Sequence, residues 1–365
     1  MKKLQYIMLG GFLGAGKTTA LARLAKHFTS LGKSVGIVTN DQAEGLVDTL
    51  SLRSQGYAVE EVPGACFCCR FDDLVKKVGS LEESRRPDVL LAEPVGSCTD
   101  LVATVLQPLA DLYASRFELA PYVVLFKPSH GLRILRGEKG QGFSPKAAYI
   151  FEKQLEEADA IAINRADELS PEELRELQSL LKQKHPATPL LILSAKTGLG
   201  FDAFLEFLGK PGAYGKKILG IDYDIYAEGE AELGWVNAGG VFQSKQLFPL
   251  DDLLVDLVTS LGRDIEGEVA HLKVIGLAEA TYGVANLVAN SQPVELSLPS
   301  RALVSEGELV VNARVAMDPA VLASRVKERV AEVLATRGAS LDWSTVQAFR
   351  PGRPQPTHRY AKSVN

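Results

Sequence analysis

The stretch Gly11-Phe12-Leu13-Gly14-Ala15-Gly16-Lys17-Thr18 decides the fold of the first half of the chain. It follows the apolar run 6–9 and opens onto helical periodicity, so it reads as strand, glycine-rich turn and helix. Small residues let backbone N–H groups wrap a row of phosphates, and the helix N-terminus adds positive potential. Lys17 then reaches the terminal phosphates and Thr18 is placed to ligate Mg²⁺. Gly11, Gly14, Ala15, Gly16, Lys17, Thr18 and Thr19 are the expected phosphate contacts. In the helix that follows, Leu21, Leu24, Ala25 and Phe28 recur at i, i+3, i+4 and i+7, one apolar stripe facing a sheet. His27 falls off that stripe and reads as solvated.

Working outward, further short apolar runs at 35–39, 59–62, 89–92, 122–126, 160–163 and 190–193 alternate with helical patterns. Strands of this kind are buried on both faces and belong to a parallel sheet. Residues 1–210 therefore read as an α/β P-loop NTPase domain, a mostly parallel sheet flanked by helices. Gly and Pro interrupt the periodicity around Gly209, Pro211, Gly212 and Gly215, which marks 211–220 as a linker. A smaller α+β domain is expected over 221–338. Its strand-like stretches are 221–227, 233–242, 269–276, 282–287 and 309–315, with helices over 250–261 and 319–335. This order suggests an α+β sandwich, with a ferredoxin-like arrangement as one candidate. Residues 339–365 read as a basic, Pro-containing tail with Arg350, Arg353, Arg359 and Lys362, either a docking segment or a solvated terminus.

Composition bounds the rest. A chain of 365 residues, 46% hydrophobic and 23% charged, has the profile of a cored globular protein. Its net charge of −5 gives no global reason to expect nucleic acid or an acidic membrane as partner. The opening Met1-Lys2-Lys3-Leu4 leads into the Lys17 loop without a cleavage pattern, and no apolar run approaches the ~18 to 20 residues that span a bilayer. A cytoplasmic protein is expected. Three of its four cysteines lie in Cys66-Phe67-Cys68-Cys69, which is no disulfide framework for a chain of this length.

The base of the nucleotide is addressed by Asn164-Arg165-Ala166-Asp167, directly after the run 160–163. A carboxylate only accepts, so Asp167 can take both the ring N–H and the exocyclic amine of guanine, a pair that adenine does not offer. Arg165 stands where the usual GTPase pattern has lysine. Ser194, Ala195 and Lys196, in Ser194-Ala195-Lys196-Thr197-Gly198, fit a second guanine-contacting loop. Asp41, after Asn40, and Glu93, in Glu93-Pro94-Val95-Gly96, are the candidate Mg²⁺ and switch acids, ordered by a γ-phosphate. With Lys17 they form the candidate catalytic set. Asp41 and Glu44 are candidates to position the attacking water. Cys66, Cys68 and Cys69 can bind a borderline metal such as Zn²⁺, whose tetrahedral preference leaves a fourth ligand to come from elsewhere. Such an incomplete site suits transfer.

On the run from Gly10 to Thr19, the cluster Gly64-Ala65-Cys66-Phe67-Cys68-Cys69, Glu93-Pro94-Val95-Gly96 and Asn164-Arg165-Ala166-Asp167, the chain resembles the CobW-type metal-chaperone GTPases, relatives of UreG and HypB. The resemblance covers residues 1–210 well and the rest loosely. It implies GTP and GDP as ligands with Mg²⁺, slow regulatory hydrolysis of GTP to GDP and phosphate, and delivery of Zn²⁺, Co²⁺, Ni²⁺ or Fe. The implied partner is an apo-metalloenzyme or a cobalamin-related client, and a nucleotide-dependent homodimer is left open. Asn40-Asp41 corresponds to the family's Asn-Glu switch and Asp48 to a later acid. A histidine reservoir is not expected, since only His271 and His358 follow residue 200. Cys98 is either a fourth thiolate or a small buried hydrophobe, and His130 is either a ligand or a solvated loop residue. Two other readings compete: a GTPase chaperone that remodels a client without carrying free metal, and a P-loop small-molecule kinase.

Overall fold

The computed structural model describes residues 3–40, 47–138, 144–279 and 281–364. They form two units, one of Met1–Gln42, Gly56–Gly229 and Arg353–Asn365, the other of Ala43–Gln55 and Glu230–Gly352. Through the first part of the chain the elements are β1 (Leu4–Gly11), α1 (Lys17–Ser30), β2 (Val35–Asn40), α2 (Val47–Ser54), β3 (Ala58–Val62), α3 (Phe71–Arg85) and β4 (Val89–Glu93). Next come α4 (Gln107–Leu112), β5 (Phe117–Leu119), β6 (Val123–Phe126), α5 (Pro128–Arg136), α6 (Pro145–Glu157), β7 (Ala160–Ile163), α7 (Pro171–Lys184), β8 (Leu190–Ile192), α8 (Phe201–Leu208) and α9 (Tyr223–Ala231).

In the first unit the strands pair in the order β3-β2-β4-β1-β6-β7-β8, with β5 beside β1, and every pair is parallel. All seven apolar runs form strands of this sheet. Their continuous burial follows from the helices of the crossovers, as the buried stripe of Leu21, Leu24, Ala25 and Phe28 on α1 illustrates. A parallel sheet gathers the carboxyl ends of its strands on one edge, where ligands bind in open α/β folds. On that edge β1 is followed by the glycine-rich turn and β3 by the cysteines, while β2 ends in Asn40, β4 in Glu93 and β7 just before Asn164. After β4 the chain passes through Asp100, which has a left-handed φ of 63°, into a π-helical turn at Val102–Leu106.

The second unit adds β9 (Gly234–Pro249), α10 (Leu250–Asp264), β10 (Val269–Ala278), β11 (Thr281–Leu287), β12 (Glu295–Leu298), β13 (Leu303–Val315), α11 (Pro319–Ala335) and β14 (Ala339–Phe349). The sheet order β12-β11-β10-β13-β9-β14 is antiparallel throughout. Four consecutive strands, β10-β13-β9-β14, with α10 and α11 as crossovers, have the ferredoxin-like order, and β11 and β12 extend the sheet beyond β10. Strand alternation separates two faces. Leu272, Val274, Leu309, Val311 and Ala313 pack with α10 and α11, while Ile275 and Val284 pack with Val47 of α2. Burying each leucine of α10, such as Leu254 or Leu257, contributes about 1.5 to 3 kcal/mol.

Three expectations differ from what forms. The run 221–227 is not a strand, because the Asp222 carboxylate accepts the N–H groups of Asp224 and Ile225 and starts α9. Its alternating Ile-Asp-Tyr-Asp-Ile-Tyr mimics strand period, and the cap decides otherwise. Residues 339–349, expected in the tail, form β14 and pair with β9. The unit boundaries also interleave rather than follow in sequence, since 47–55 fold with the second unit and 353–364 with the first. Among the described residues no helix is long and apolar enough to cross a membrane. Asp222→Ala should lower stability by about 1 kcal/mol, the usual cost of losing a side-chain cap; a urea midpoint that does not move would show that α9 starts without it.

Candidate nucleotide and thiol site

The glycine-rich turn closes as its spacing requires. Lys17 opens α1 and is buried, its ammonium donating to the carbonyls of Gly11 at 2.8 Å and Phe12 at 3.5 Å. Gly16 has φ of 89°, and a Cβ there would lie 2.5 Å from Nδ2 of Asn164, so only glycine fits. The Thr18 hydroxyl donates to Oε1 of Glu93 at 3.0 Å. A hydroxyl and a carboxylate side by side at the turn are the hard oxygen donors that Mg²⁺ takes, so the donor set fits that ion.

The base-side loops are braced to the same turn. Asn164 is buried and donates from Nδ2 to the Ala15 carbonyl at 2.7 Å, while its Oδ1 accepts the N–H of Ala195 at 2.9 Å. One side chain thus ties the phosphate turn to the loop after β8. Arg165 adopts φ of 60°, and its guanidinium grips the Glu168 carboxylate with two contacts of 2.9 and 2.6 Å. The arginine fork is held within this turn, and Asp167 beside it is exposed. Ser194 accepts the N–H of Thr197 at its hydroxyl, 3.1 Å away. Arg23 was not anticipated as part of the site. From α1 its Nε donates to the Ala195 carbonyl at 2.7 Å and its Nη2 to that of Lys196 at 2.6 Å. Like His27, it lies off the apolar stripe of α1.

The cysteines lie in a tight turn after β3. The N–H groups of Cys69 and Arg70 both donate to the Cys66 carbonyl, at 2.9 and 3.0 Å, which folds the three side chains together. Cys66 Sγ is 2.8 Å from that of Cys68 and 3.2 Å from that of Cys69, with 3.7 Å between the latter two. Asn40, at the end of β2, pins this turn by donating to the carbonyls of Val62 and Ala65, both at 2.7 Å, and accepting the Phe67 N–H at 2.7 Å. Cys66 and Cys68 are buried and Cys69 is half-buried. Cys98 is buried too, and its thiol hydrogen-bonds with Cys66. Hydrogen bonds from Cys68, Cys69 and Cys98 hold the Cys66 thiol well below its ordinary range against the opposing effect of burial. The cost falls on its neighbours. Cys68 is pushed well up and Cys69 up to about 11, each chiefly through its bond to Cys66. His130 is buried within α5, its Nδ1 3.4 Å from the Ser129 hydroxyl, rather than solvated in a loop. Among the described residues the grouped metal-type ligands are Cys66, Cys68 and Cys69, within 4.8 Å of one another.

The segment after β4 packs directly on the phosphate turn. A Cβ on Gly96 would lie 2.8 Å from the backbone N of Leu13. Gln154 of α6 donates to the carbonyls of Gly96 at 3.0 Å and Cys98 at 2.8 Å. Glu157, also on α6 and fully buried, accepts the Val102 N–H at 3.0 Å and the Thr99 hydroxyl at 3.3 Å. Burial pushes its carboxyl up to about 8, and the charge of Asp100 adds to the rise. Asp48 pairs with Lys273 inside the second unit. Asp41 and Glu44 lie outside the described residues, so their expected roles stay with the sequence.

A phosphate turn that opens a helix, with a threonine–glutamate pair beside it at the carboxyl edge of a parallel sheet, defines a P-loop nucleotide-binding domain. The chain belongs to the CobW/HypB/UreG family, whose nucleotide-binding domain matches residues 5–191. It is similar to the zinc chaperone YeiR of Escherichia coli K12, 32% identical over 184 residues that cover 48% of this chain and 51% of that one. It is similar also to the zinc-regulated GTPase metalloprotein activator 1 of Dictyostelium discoideum, 24% identical over 52% of this chain and 46% of that protein. A third relative, the zinc chaperone CobW of Pseudomonas aeruginosa, is 25% identical over 58% of this chain and 64% of its own. The chain thus spans about half to two thirds of the length of these relatives.

Glu157 gives the site a pH signature. Its carboxyl has an ordinary value of 4.5 and rises to about 8 in the fold. Between those values the folded state binds the extra proton, so stability should fall as pH rises, by at most about 1.4 kcal/mol per unit, and level off above. Glu157→Gln keeps the shape and an acceptor and should flatten that slope in urea midpoints measured from pH 5 to 8; an unchanged slope would place the titration elsewhere.

Proposed function

We propose that this protein is a GTP-binding and GTP-hydrolysing metallochaperone, in which nucleotide state governs the binding and delivery of a transition metal through Cys66, Cys68 and Cys69. The observation that carries this reading is the pinned thiol turn itself. Three sulfurs within 4.8 Å of one another stand at the end of β3, held by Asn40 at the end of the adjacent β2. β4, with Glu93, is the next strand in the sheet, and β1 with the phosphate turn follows it. Metal site and nucleotide site therefore rest on four neighbouring strands, close enough for loop positions in one to bias the other.

The chemistry follows from the ligands. Zinc is the first choice of cargo, because thiolates suit it and the relatives named zinc chaperones point the same way; Co²⁺, Ni²⁺ and Fe are the alternatives. Cys66 ionises first, and loading displaces the protons of Cys68 and Cys69. Cys98, buried and in contact with Cys66, is the candidate for a fourth thiolate. At the nucleotide, Asp167 reads guanine, while Lys17 and the backbone N–H groups of the turn offset phosphate charge as GTP and water become GDP and phosphate. Mg²⁺ held by Thr18 and Glu93 supplies further counter-charge. The recipient is an apo-metalloenzyme or cobalamin-related client, and the setting is the cytoplasm.

The test is zinc affinity of the reduced protein, measured by chelator competition with a non-hydrolysable GTP analogue and with GDP. Wild type should exceed a Cys66/Cys68/Cys69 triple-Ser variant by about a hundredfold, and Cys98→Ser should lose about tenfold. The two nucleotide states should differ by about 5- to 150-fold. Equal affinity in wild type and triple variant would leave the competing reading, a client chaperone that carries no free metal. Equal affinity with the two nucleotides would remove the coupling.

A further inference from the structure

Residues 353–364 belong to the first unit and run across the thiol turn. The Gln355 N–H donates to Sγ of Cys69 at 3.2 Å. Thr357 donates its N–H to the Cys68 carbonyl at 2.8 Å and its hydroxyl to the Cys69 carbonyl at 3.2 Å. The His358 ring stands edge-on to Phe71, two residues beyond Cys69, at 5.1 Å. The chain then reaches the segment after β4. Arg359 donates to Asp100 at 2.7 Å, the Tyr360 N–H donates to the Ala103 carbonyl at 3.0 Å, and the Tyr360 hydroxyl donates to Asp111 at 2.6 Å. The six residues 355–360 thus bridge the turn that carries Cys66, Cys68 and Cys69 and the segment that carries Cys98.

Two features separate this from an incidental surface contact. The backbone of the segment addresses the cysteines themselves, and an N–H aimed at sulfur both favours thiolate and occupies a direction from which a metal or an acceptor could approach. Arg359 meets a carboxylate prepared for it. Asp100 is 1% exposed, sits at a φ of 63° that costs a non-glycine residue about 1 to 3 kcal/mol, and also accepts the Tyr223 hydroxyl at 2.8 Å. A buried carboxylate in a strained turn that opens a π-helix calls for a fixed cationic partner, and arginine supplies it with geometry lysine lacks.

We propose that the face formed by the thiol turn and the π-helical segment is a recognition surface for an arginine-bearing peptide, and that residues 355–360 occupy it in cis as a cover over Cys69. Cys69 is the half-buried member of a cluster whose other thiols are buried, so a cover there controls the open side of the site. Tethering presents the segment at an effective concentration of roughly millimolar, so weak individual contacts suffice to keep the surface filled. A client reaches the metal after the segment leaves. That last clause rests on the metallochaperone reading; the peptide surface does not.

The experiment uses full-length, reduced, metal-free protein and follows alkylation of Cys69 by iodoacetamide, read by mass spectrometry. Arg359→Ala removes the anchor, and Thr357→Val removes the hydroxyl that holds the segment to the Cys69 carbonyl while leaving Arg359 and the backbone donors in place. Each should raise the Cys69 alkylation rate about tenfold, the effect of losing roughly one charged or direct hydrogen bond. A synthetic peptide of residues 352–364, added in excess, should restore protection to the Arg359→Ala protein, and the same peptide carrying Arg359→Ala should not. Unchanged alkylation in both variants, with circular dichroism and nucleotide binding intact, would overturn the proposal, as would equal rescue by the two peptides. In zinc-loaded protein the same substitutions should hasten metal withdrawal by a chelator about tenfold. Failure to load zinc at all, with alkylation still responding, would sink the metallochaperone reading and leave the surface standing.

Discussion

Parallel pairing of β3, β2, β4 and β1 is the constraint on which the rest of the first unit depends. Parallel strands deliver all their carboxyl ends to one edge, so four chain segments distant in sequence arrive as neighbours without any dedicated contact between them. The phosphate turn, Glu93, Asn40 and the cysteine turn occupy successive positions along that edge. An antiparallel sheet would have sent every second loop to the opposite side. Strand order thereby does what sequence proximity cannot, and it places soft sulfur ligands and hard oxygen ligands a few strands apart while keeping their chemistry separate.

Two asparagines turn that placement into a mechanical connection. Asn40 donates to two carbonyls of the thiol loop and accepts the N–H of Phe67, and Asn164 donates to the phosphate turn while accepting from the loop after β8. Only an amide side chain of this length offers a donor and an acceptor at once; aspartate could not donate, and leucine would leave five backbone groups, four of them in buried bonds, without these partners across the two sites. Such groups are costly to strand, at about 1 to 3 kcal/mol each, so the loops are bound to their strands more firmly than loops without buried bonds. Arg23 repeats the device from α1, with two guanidinium donors on two successive carbonyls.

What was legible in the sequence was what is locally determined. The seven apolar runs of the first unit become strands and the helix over 319–335 forms as read, because burial on both faces or on one stripe leaves a pattern within the element itself. Cys66, Cys68 and Cys69 converge because four residues cannot place them far apart. The misreadings have a common cause in partners distant in sequence. The alternating run at 221–227 is overruled by one capping carboxylate, and 339–349 becomes a strand because β9, more than ninety residues earlier, offers an unpaired edge. Arg23, Glu157 and Asp100 likewise acquire their roles from long-range neighbours, and no periodicity announces them. In sequence the acid of Asn40-Asp41 carries the functional reading, whereas in the described structure the Asn40 amide braces the thiol turn.

The electrostatics of the thiol cluster explain how mostly buried thiols can still ionise. Isolated thiols in such surroundings would resist ionising, since burial disfavours charge. Clustering changes the balance, because each remaining S–H stabilises the first thiolate; Cys66 is lowered by three such bonds while Cys68 and Cys69 are raised. The cluster therefore offers one ready ligand and two reluctant ones. A metal that binds first at Cys66 must itself displace the other protons, so the strength of its hold scales with how many thiols it recruits. A site of this kind grades affinity by ligand count rather than by opening and closing as a whole. Cys98 reaches Cys66 from the segment packed on the phosphate turn, while Cys69 is the half-buried member of the cluster.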